Sequence, residues 1–299
     1  MDLTVTDEYD GHEILKLLRS LRISRAEIIR MKNRADGIML NGSHANVRSR
    51  VRTGDVLSLS REDREEDINE KIEPVQIPVG IIYEDDLIIA FNKPAGMPTH
   101  PGHGHMTDTL ANAVAYIMRD GSEPFVFRPV NRLDRDTSGA VIVAKSKYSA
   151  YVMSELFSKG NVKKEYFCIL DGLPGDGKPV NVVKNIKRKL PSIIEREVCS
   201  DREGQFAETL FEPLGFKDGL CSCIAEPKTG RTHQIRVHAA YLGTPVLGDT
   251  LYGKPSDLIS RQALHCQSIT YIIETDRGIK TIEISAPLMP DIANVLNDE

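Results

Sequence analysis

Apolar and polar positions along the chain change period several times, and each change marks an element. Ile14, Leu17, Leu18 and Leu21 recur at three- and four-residue spacing, which predicts a helix. A second helix follows, opened by a Ser24-to-Glu27 capping box and carrying Ile28, Ile29 and Met31. Gly37 to Leu40 reads as a strand, Asn41-Gly42 as a tight turn, and Val56 to Leu59 as a further strand. Two apolar stretches between Gly80 and Phe91 flank an acidic turn and predict a hairpin. Leu110, Ala113, Val114 and Ile117 place a helix over 110–118, and the run Ala140 to Ala144 has the form of a buried strand. An amphipathic helix is expected over 149–157, with strands over 163–170, 207–214 and 219–227. A helix follows Gly230, then, after Leu264-His265-Cys266, strands around 269–273 and 281–285 and a short helix over 290–296. Between 172 and 205, Gly and Pro are dense among Lys184, Lys187, Arg188 and Lys189, and a mobile basic excursion is expected there. No internal repeat is visible.

Composition narrows the class. The chain has 299 residues, 40% of them hydrophobic and 27% charged, which fits a globular protein with one large and one small domain. The first ten residues are acidic and no apolar run approaches the roughly 18 residues a bilayer requires. Five cysteines, odd in number and irregular in spacing, suit reduced thiols, and Cys221-Ser222-Cys223 lacks a second ligand pair for zinc. A cytoplasmic location is therefore expected.

The net charge of −5 excludes a generally basic nucleic-acid coat, but its distribution is lopsided. Residues 12–60 carry ten basic side chains against four acidic ones. Residues 61–73 carry seven acidic against three basic, ending near Pro74 and Pro78. The expected organisation is a small domain over 1–60, an acidic linker over 61–78 and a large domain over 79–299.

Three loops hold the candidate chemistry. Residues 92–102, NKPAGMPTHPG, form a rigid Pro/Gly loop. His100, His103 and His105 lie in or after it, without carboxylate or thiolate companions at metal-site spacing, so no metal is expected. Residues 132–139, RLDRDTSG, feed the buried strand at 140–144. Such a run is either a charged turn, with Asp134 or Asp136 capping amides, or a carboxylate on a stiff support. Residues 230–253, GRTHQIRVHAAYLGTPVLGDTLYG, pass from a glycine loop into a helix and out through a second glycine loop. Neither a dinucleotide fingerprint nor a phosphate-binding Gly-Lys-Ser/Thr loop occurs, so no cofactor is expected.

The order helix, helix, Asn-Gly turn, basic loop and strand over about fifty residues resembles the S-four-type RNA-binding domain. The three blocks together resemble the RluA family of RNA pseudouridine synthases over about residues 80–299. That resemblance implies an α+β fold with a mixed, mainly antiparallel central sheet, flanked by helices and loops that form an RNA cleft. It implies isomerisation of uridine to pseudouridine in RNA, without metal or cofactor, by a monomer. The RNA is expected to be large-subunit ribosomal RNA, with transfer RNA as the alternative.

By the same resemblance Asp134 is the essential aspartate. It leaves open whether Asp134 attacks the sugar C1′, attacks the base C6 or removes a sugar proton. Arg236 pairs with it, since an ionised, poorly solvated carboxylate needs a cation that stays charged. Tyr166 stacks on the target base, and Ile235 packs from the other side. Arg132 either enters the RNA in place of the flipped base or pairs with Asp136. Lys93 contacts phosphate near the cleft or is structural. His233 and His238 read as scaffold or phosphate contacts rather than acid/base groups. Asn131 stands where many members carry His; its amide can hydrogen-bond substrate but cannot titrate near neutrality, which counts against catalysis there. Arg25 and Arg30 are the expected RNA contacts of the small domain. Two other readings stand beside this one: an RNA-binding factor on a retired catalytic fold, and a hydrolase with an aspartyl intermediate. The first should have eroded Asp134, Tyr166 or Arg236, and the second needs a water-activating base or metal beside Asp134.

Overall fold

In the computed structural model, which describes residues 2–21, 23, 25–60, 72–119, 126–190, 194–200, 202–275 and 278–297, the N-terminal apolar positions close on one another. Helices α1 (Ile14–Ser20) and α2 (Arg25–Lys32) turn Ile14, Leu18 and Met31 inward. These meet Ile38 and Leu57 of an antiparallel sheet made by β1 (Asp2–Thr4), β2 (Ile38–Leu40), β3 (Ser43–His44) and β4 (Val56–Leu59), in the order β1-β4-β2-β3. Asn41 and Gly42 both have positive φ, 50° and 79°, as a two-residue turn between β2 and β3 demands. Strand β1 carries no period that the sequence reading picked up. Ser24 and the side chain of Glu27, the expected capping box, lie outside the described residues, as do 61–71 of the acidic stretch.

The second unit begins earlier than the expected boundary at 79. Ile72, Ile77 and Val79 pack on the large core, and Asn112 binds the Glu73 carbonyl and the Val75 amide. Residues 72–78 therefore belong to this unit rather than to a linker.

Its sheet is built from β5 (Gly80–Glu84), β6 (Ile88–Lys93), β7 (Ser138–Ala144), β8 (Val162–Asp171), β9 (Val180–Val183), β12 (Glu208–Lys217), β13 (Leu220–Pro227), β14 (Leu264–Thr275) and β15 (Gly278–Ser285). The order is β5-β6-β7-β14-β8-β13-β12-β9, with β15 on β14. Among the described pairings β7 with β14 is parallel and the rest are antiparallel. Helices α3 (Leu110–Met118), α4 (Lys147–Ser158), α5 (Gln234–Tyr241) and α6 (Pro290–Asn297) flank it. This is the mixed, mainly antiparallel α+β architecture expected. No helix among the described residues is long and apolar enough to cross a membrane.

The expected mobile excursion at 172–205 is largely ordered. Strand β9 pairs with β12 at the sheet edge, and β10 (Asn185–Arg188) with β11 (Arg196–Cys199) forms a separate hairpin. Its lysines pair with nearby acids, Lys187 with Glu203 and Lys189 with Glu195. Composition suggested a loop because these strands are only four residues long, β9 (VNVV) being apolar but short and β10 and β11 mostly polar, so period alone does not mark them.

Candidate active site

Strand β7 is the floor. All seven of its residues are buried, between β6 and β14. Gly139 has φ 115°, and a Cβ there would lie 2.3 Å from the Cys266 carbonyl oxygen. The Ser-Gly that ends the charged block is thus required by the close approach of β14. The loop before it is pinned carbonyl by carbonyl. Thr99 Oγ1 donates to Leu133 O at 3.1 Å, Lys93 Nζ to Arg135 O at 3.0 Å, and Arg261 Nη1 to Asp136 O at 3.2 Å. Arg261 is itself held bidentately by Asp291 of α6.

That loop presents Asp134 to a cleft of about 580 Å³. Among the described residues lining it, Asp134 is the one carboxylate, against the cations Arg132, Arg135, Lys164, Arg231 and Arg236. A chain of net charge −5 therefore concentrates positive charge around one acid, which suits a polyanion.

Arg236 sits in the first turn of α5. Its Nε and Nη2 bind both oxygens of Asp249 at 2.6 and 2.8 Å, and its Nη1 donates to Asp134 Oδ2 at 3.3 Å. Burial opposes the guanidinium's charge, but Asp249 and then Asp134 outweigh it and raise its pKa. Asp249 is fully buried and also accepts from the Leu251 and Tyr252 amides. Gly248, at φ 73°, brings it into place: a Cβ there would meet Arg261 O at 2.3 Å. His233 precedes α5 in the left-handed region, φ 58° and ψ 17°, with Nε2 3.8 Å from Asp134 Oδ2.

Tyr166 on β8 lines the cleft. Burial first, then the adjoining Cys266 thiol and Asp134, push its phenol well above the ordinary range, so it stays protonated at neutral pH. It can offer a ring face and an O–H, not a phenolate. Ile235 lines the cleft from α5 and is nearly buried.

Arg132 is exposed at the rim and close enough to His100 to lower that imidazole's pKa, after burial. The alternative partner for Arg132 is taken: Asp136 is bound by Arg135 Nε and Nη2 at 3.0 and 2.9 Å. Asn131 lines the cleft, but its amide bridges the loop to β7, accepting from Ile142 N and donating to Ala140 O. His238 is buried between Thr209 Oγ1 and Lys184 O, a scaffold position. Arg30 is exposed on α2 of the small unit, and the Arg25 side chain lies outside the described residues. His100 packs edge-on against Phe127 and His105 pairs with Asp108. The described residues contain no cluster of three metal-type ligands.

Lys93 is a correction. It is 0% exposed, and its three ammonium hydrogens go to the carbonyls of Pro94, Met97 and Arg135 at 2.9, 2.7 and 3.0 Å. No room is left for an RNA phosphate; Lys93 ties the Pro/Gly loop to the Asp134 loop. Burial lowers its pKa from 10.5 to about 7, against the pull of Asp136 and Asp134. The unfolded chain then holds the extra proton between those two values, so folded stability should rise with pH across that window. Urea unfolding at pH 7 and pH 9.5 should show the wild type gaining a few kcal/mol relative to Lys93→Met. A pH-independent difference would mean the lysine is not buried in this way.

Asp249, Tyr252, Lys164 and Cys266 escaped the sequence reading. In the glycine-punctuated LGDTLYG segment, an acid between Gly248 and Gly253 is the signal that the sequence offers for Asp249.

Residues 87–241 match the family described as RNA pseudouridylate synthase. The chain is 33% identical to an uncharacterized RNA pseudouridine synthase, YjbO, of Bacillus subtilis, over 93% of this chain and 96% of that one. It is 32% identical to the ribosomal large subunit pseudouridine synthase D of Xylella fastidiosa, over 98% and 90%. The solved structure of human RNA pseudouridylate synthase domain containing 1 superposes with a TM-score of 0.58 at 26% identity, covering 72% of this chain and 86% of that one.

Proposed function

Since the chain belongs to the RluA-type RNA pseudouridine synthases, we propose that it isomerises specific uridines of large-subunit ribosomal RNA, with Asp134 as the reacting carboxylate. The observation that carries the assignment is the solitary acid: Asp134 stands alone among five cations in the cleft, on a loop whose carbonyls are pinned one by one. The reaction breaks the bond from N1 to C1′ and joins C5 to C1′. The C5 proton departs and N1 takes one up, so the product is an isomer.

The target uridine leaves its stack to enter the cleft, which costs a few kcal/mol. The Tyr166 ring takes one face of the base and Ile235 the other, while Arg132 at the rim fills the space left in the RNA. Large-subunit rRNA as the substrate is supported by relatives named as ribosomal large subunit enzymes. Pseudouridine mapping of rRNA and tRNA from cells with and without the gene tests it. Loss of one or more rRNA marks is expected; an unchanged rRNA with a missing tRNA mark would reassign the substrate.

The small N-terminal unit is the proposed RNA grip, through Arg25 and Arg30 together with the exposed Lys16, Arg19, Lys32 and Arg48. Changing Lys16, Arg19, Lys32 and Arg48 to Gln should lower the salt slope of rRNA affinity by up to about 3–4, since each phosphate contact contributes about 0.7–0.9. The single-turnover rate at saturating enzyme should hold. An unchanged affinity and slope would remove the role given to this unit.

A further inference from the structure

Asp134 meets both of its polar neighbours through one oxygen. Arg236 Nη1 donates to Oδ2 at 3.3 Å, and His233 Nε2 lies 3.8 Å from the same atom. No described hydrogen bond engages side-chain oxygen Oδ1.

The protonation pattern behind His233 follows from an obligate donor. The Arg196 amide, at the start of β11, donates to the Tyr252 hydroxyl oxygen at 2.8 Å. The Tyr252 hydrogen is then free for His233 Nδ1, also at 2.8 Å. With Nδ1 accepting, a neutral imidazole carries its hydrogen on Nε2, the atom that faces Asp134. The charged and titratable groups around the ring are Asp134, Arg236, Arg196, Asp249 and Tyr252. Burial leads in lowering its pKa, Arg236 and Arg196 add to that, and Asp134 and Asp249 oppose it, so the ring is neutral near pH 7. The ring also stands edge-on to Tyr252, at 5.6 Å and 77°. The left-handed backbone at His233 is uncommon for a residue other than glycine, and here it accompanies this placement of the ring.

We propose that His233 is a positioning residue for pseudouridine formation: its Nε2–H, together with Arg236, keeps Asp134 Oδ2 against the protein and leaves Oδ1 as the oxygen that meets the RNA, while Tyr252 fixes the required tautomer. The proposal rests on Asp134 being the reacting carboxylate. It adds a second N–H facing that carboxylate, acting electrostatically across 3.8 Å rather than as a formed hydrogen bond, and connects it, through Tyr252 and the Arg196 amide, to the β10–β11 hairpin.

The test uses the full-length enzyme on in vitro transcribed rRNA. His233→Asn tolerates the left-handed backbone and can still meet Tyr252, but it is too short to reach Asp134. It should lower the single-turnover rate by about 10–100-fold, by analogy with the loss seen when a group that orients a metal ligand is removed. RNA affinity and melting temperature should stay near wild type. His233→Gln restores a donor at the reach of Nε2 and should recover most of the loss. In the ¹⁵N-histidine-labelled protein, the His233 ring should show an unprotonated Nδ1 and a protonated Nε2. Tyr252→Phe keeps the aromatic ring and should lower the rate without weakening RNA binding.

A wild-type rate in His233→Asn, equal losses in the Asn and Gln variants, or a proton resident on Nδ1 would each overturn the proposal. Asp134→Asn separates the two levels. If that variant is inactive while His233→Asn is fully active, the positioning role alone fails. If Asp134→Asn remains active, the assignment beneath it fails as well.

Discussion

Asp134→Asn should lower single-turnover pseudouridine formation by at least about 10⁴-fold, as removal of a central catalytic group does in other enzymes. Binding of the same RNA should change less than about threefold, because the amide keeps the shape and the cleft retains its cations. The reason for so large a loss is the lack of a substitute. Among the described residues lining the cleft there is no second carboxylate. The neighbouring Asp136 points its oxygens at Arg135. Tyr166 keeps its proton and cannot take over as an anion. Release of tritium from RNA labelled at uridine C5 measures the reaction directly, since that hydrogen must leave when C5 joins the sugar. A gel-shift titration run beside it measures affinity. An Asn variant that still converts uridine at a substantial rate would move the chemistry to another group.

Asp249→Ala should be the most disruptive change outside the reacting group. Asp249 is wholly buried and binds Arg236 through both oxygens while accepting two backbone amides. Removing it leaves a buried guanidinium with its weaker contact to Asp134 as the remaining ion pair described, a situation that costs about 3–5 kcal/mol. Turnover should fall along with stability, because the fork that aims Nη1 at Asp134 is gone. Pairing Arg236→Met with Asp249→Asn separates the two effects. With no charge left buried, urea unfolding should show most of the stability regained, yet turnover should stay low because Asp134 has lost its cation. If the double variant recovered activity as well, Arg236 would be a structural residue and no more.

How far the sequence carried depends on the range of the interaction. Helix 110–118 and the buried strand at 140–144 were legible because apolar period is a local property of the chain. The Asn41-Gly42 turn was legible because its backbone demands those residues. The hairpin at 185–199 was not, since its residues are polar and its order comes from pairing across the turn.

At the candidate site the same division holds. Composition and period singled out no residue, and Asp134, Tyr166 and Arg236 were drawn out by whole motifs resembling those of a known family. The fold then brings them into one cleft from 32 and 102 positions apart. By itself the sequence determined most of the elements, the basic bias of residues 12–60 and the blocks that carry the chemistry. Tertiary structure alone decided which polar groups meet. It turned Lys93 inward onto three carbonyls, spent Asn131 on strand β7, gave Arg236 to Asp249 and set His233 behind Asp134. The reason is physical: burial patterns repeat along the chain and can be read from it. A hydrogen bond depends on the direction and distance of two side chains, and these exist only after the strands between them have packed.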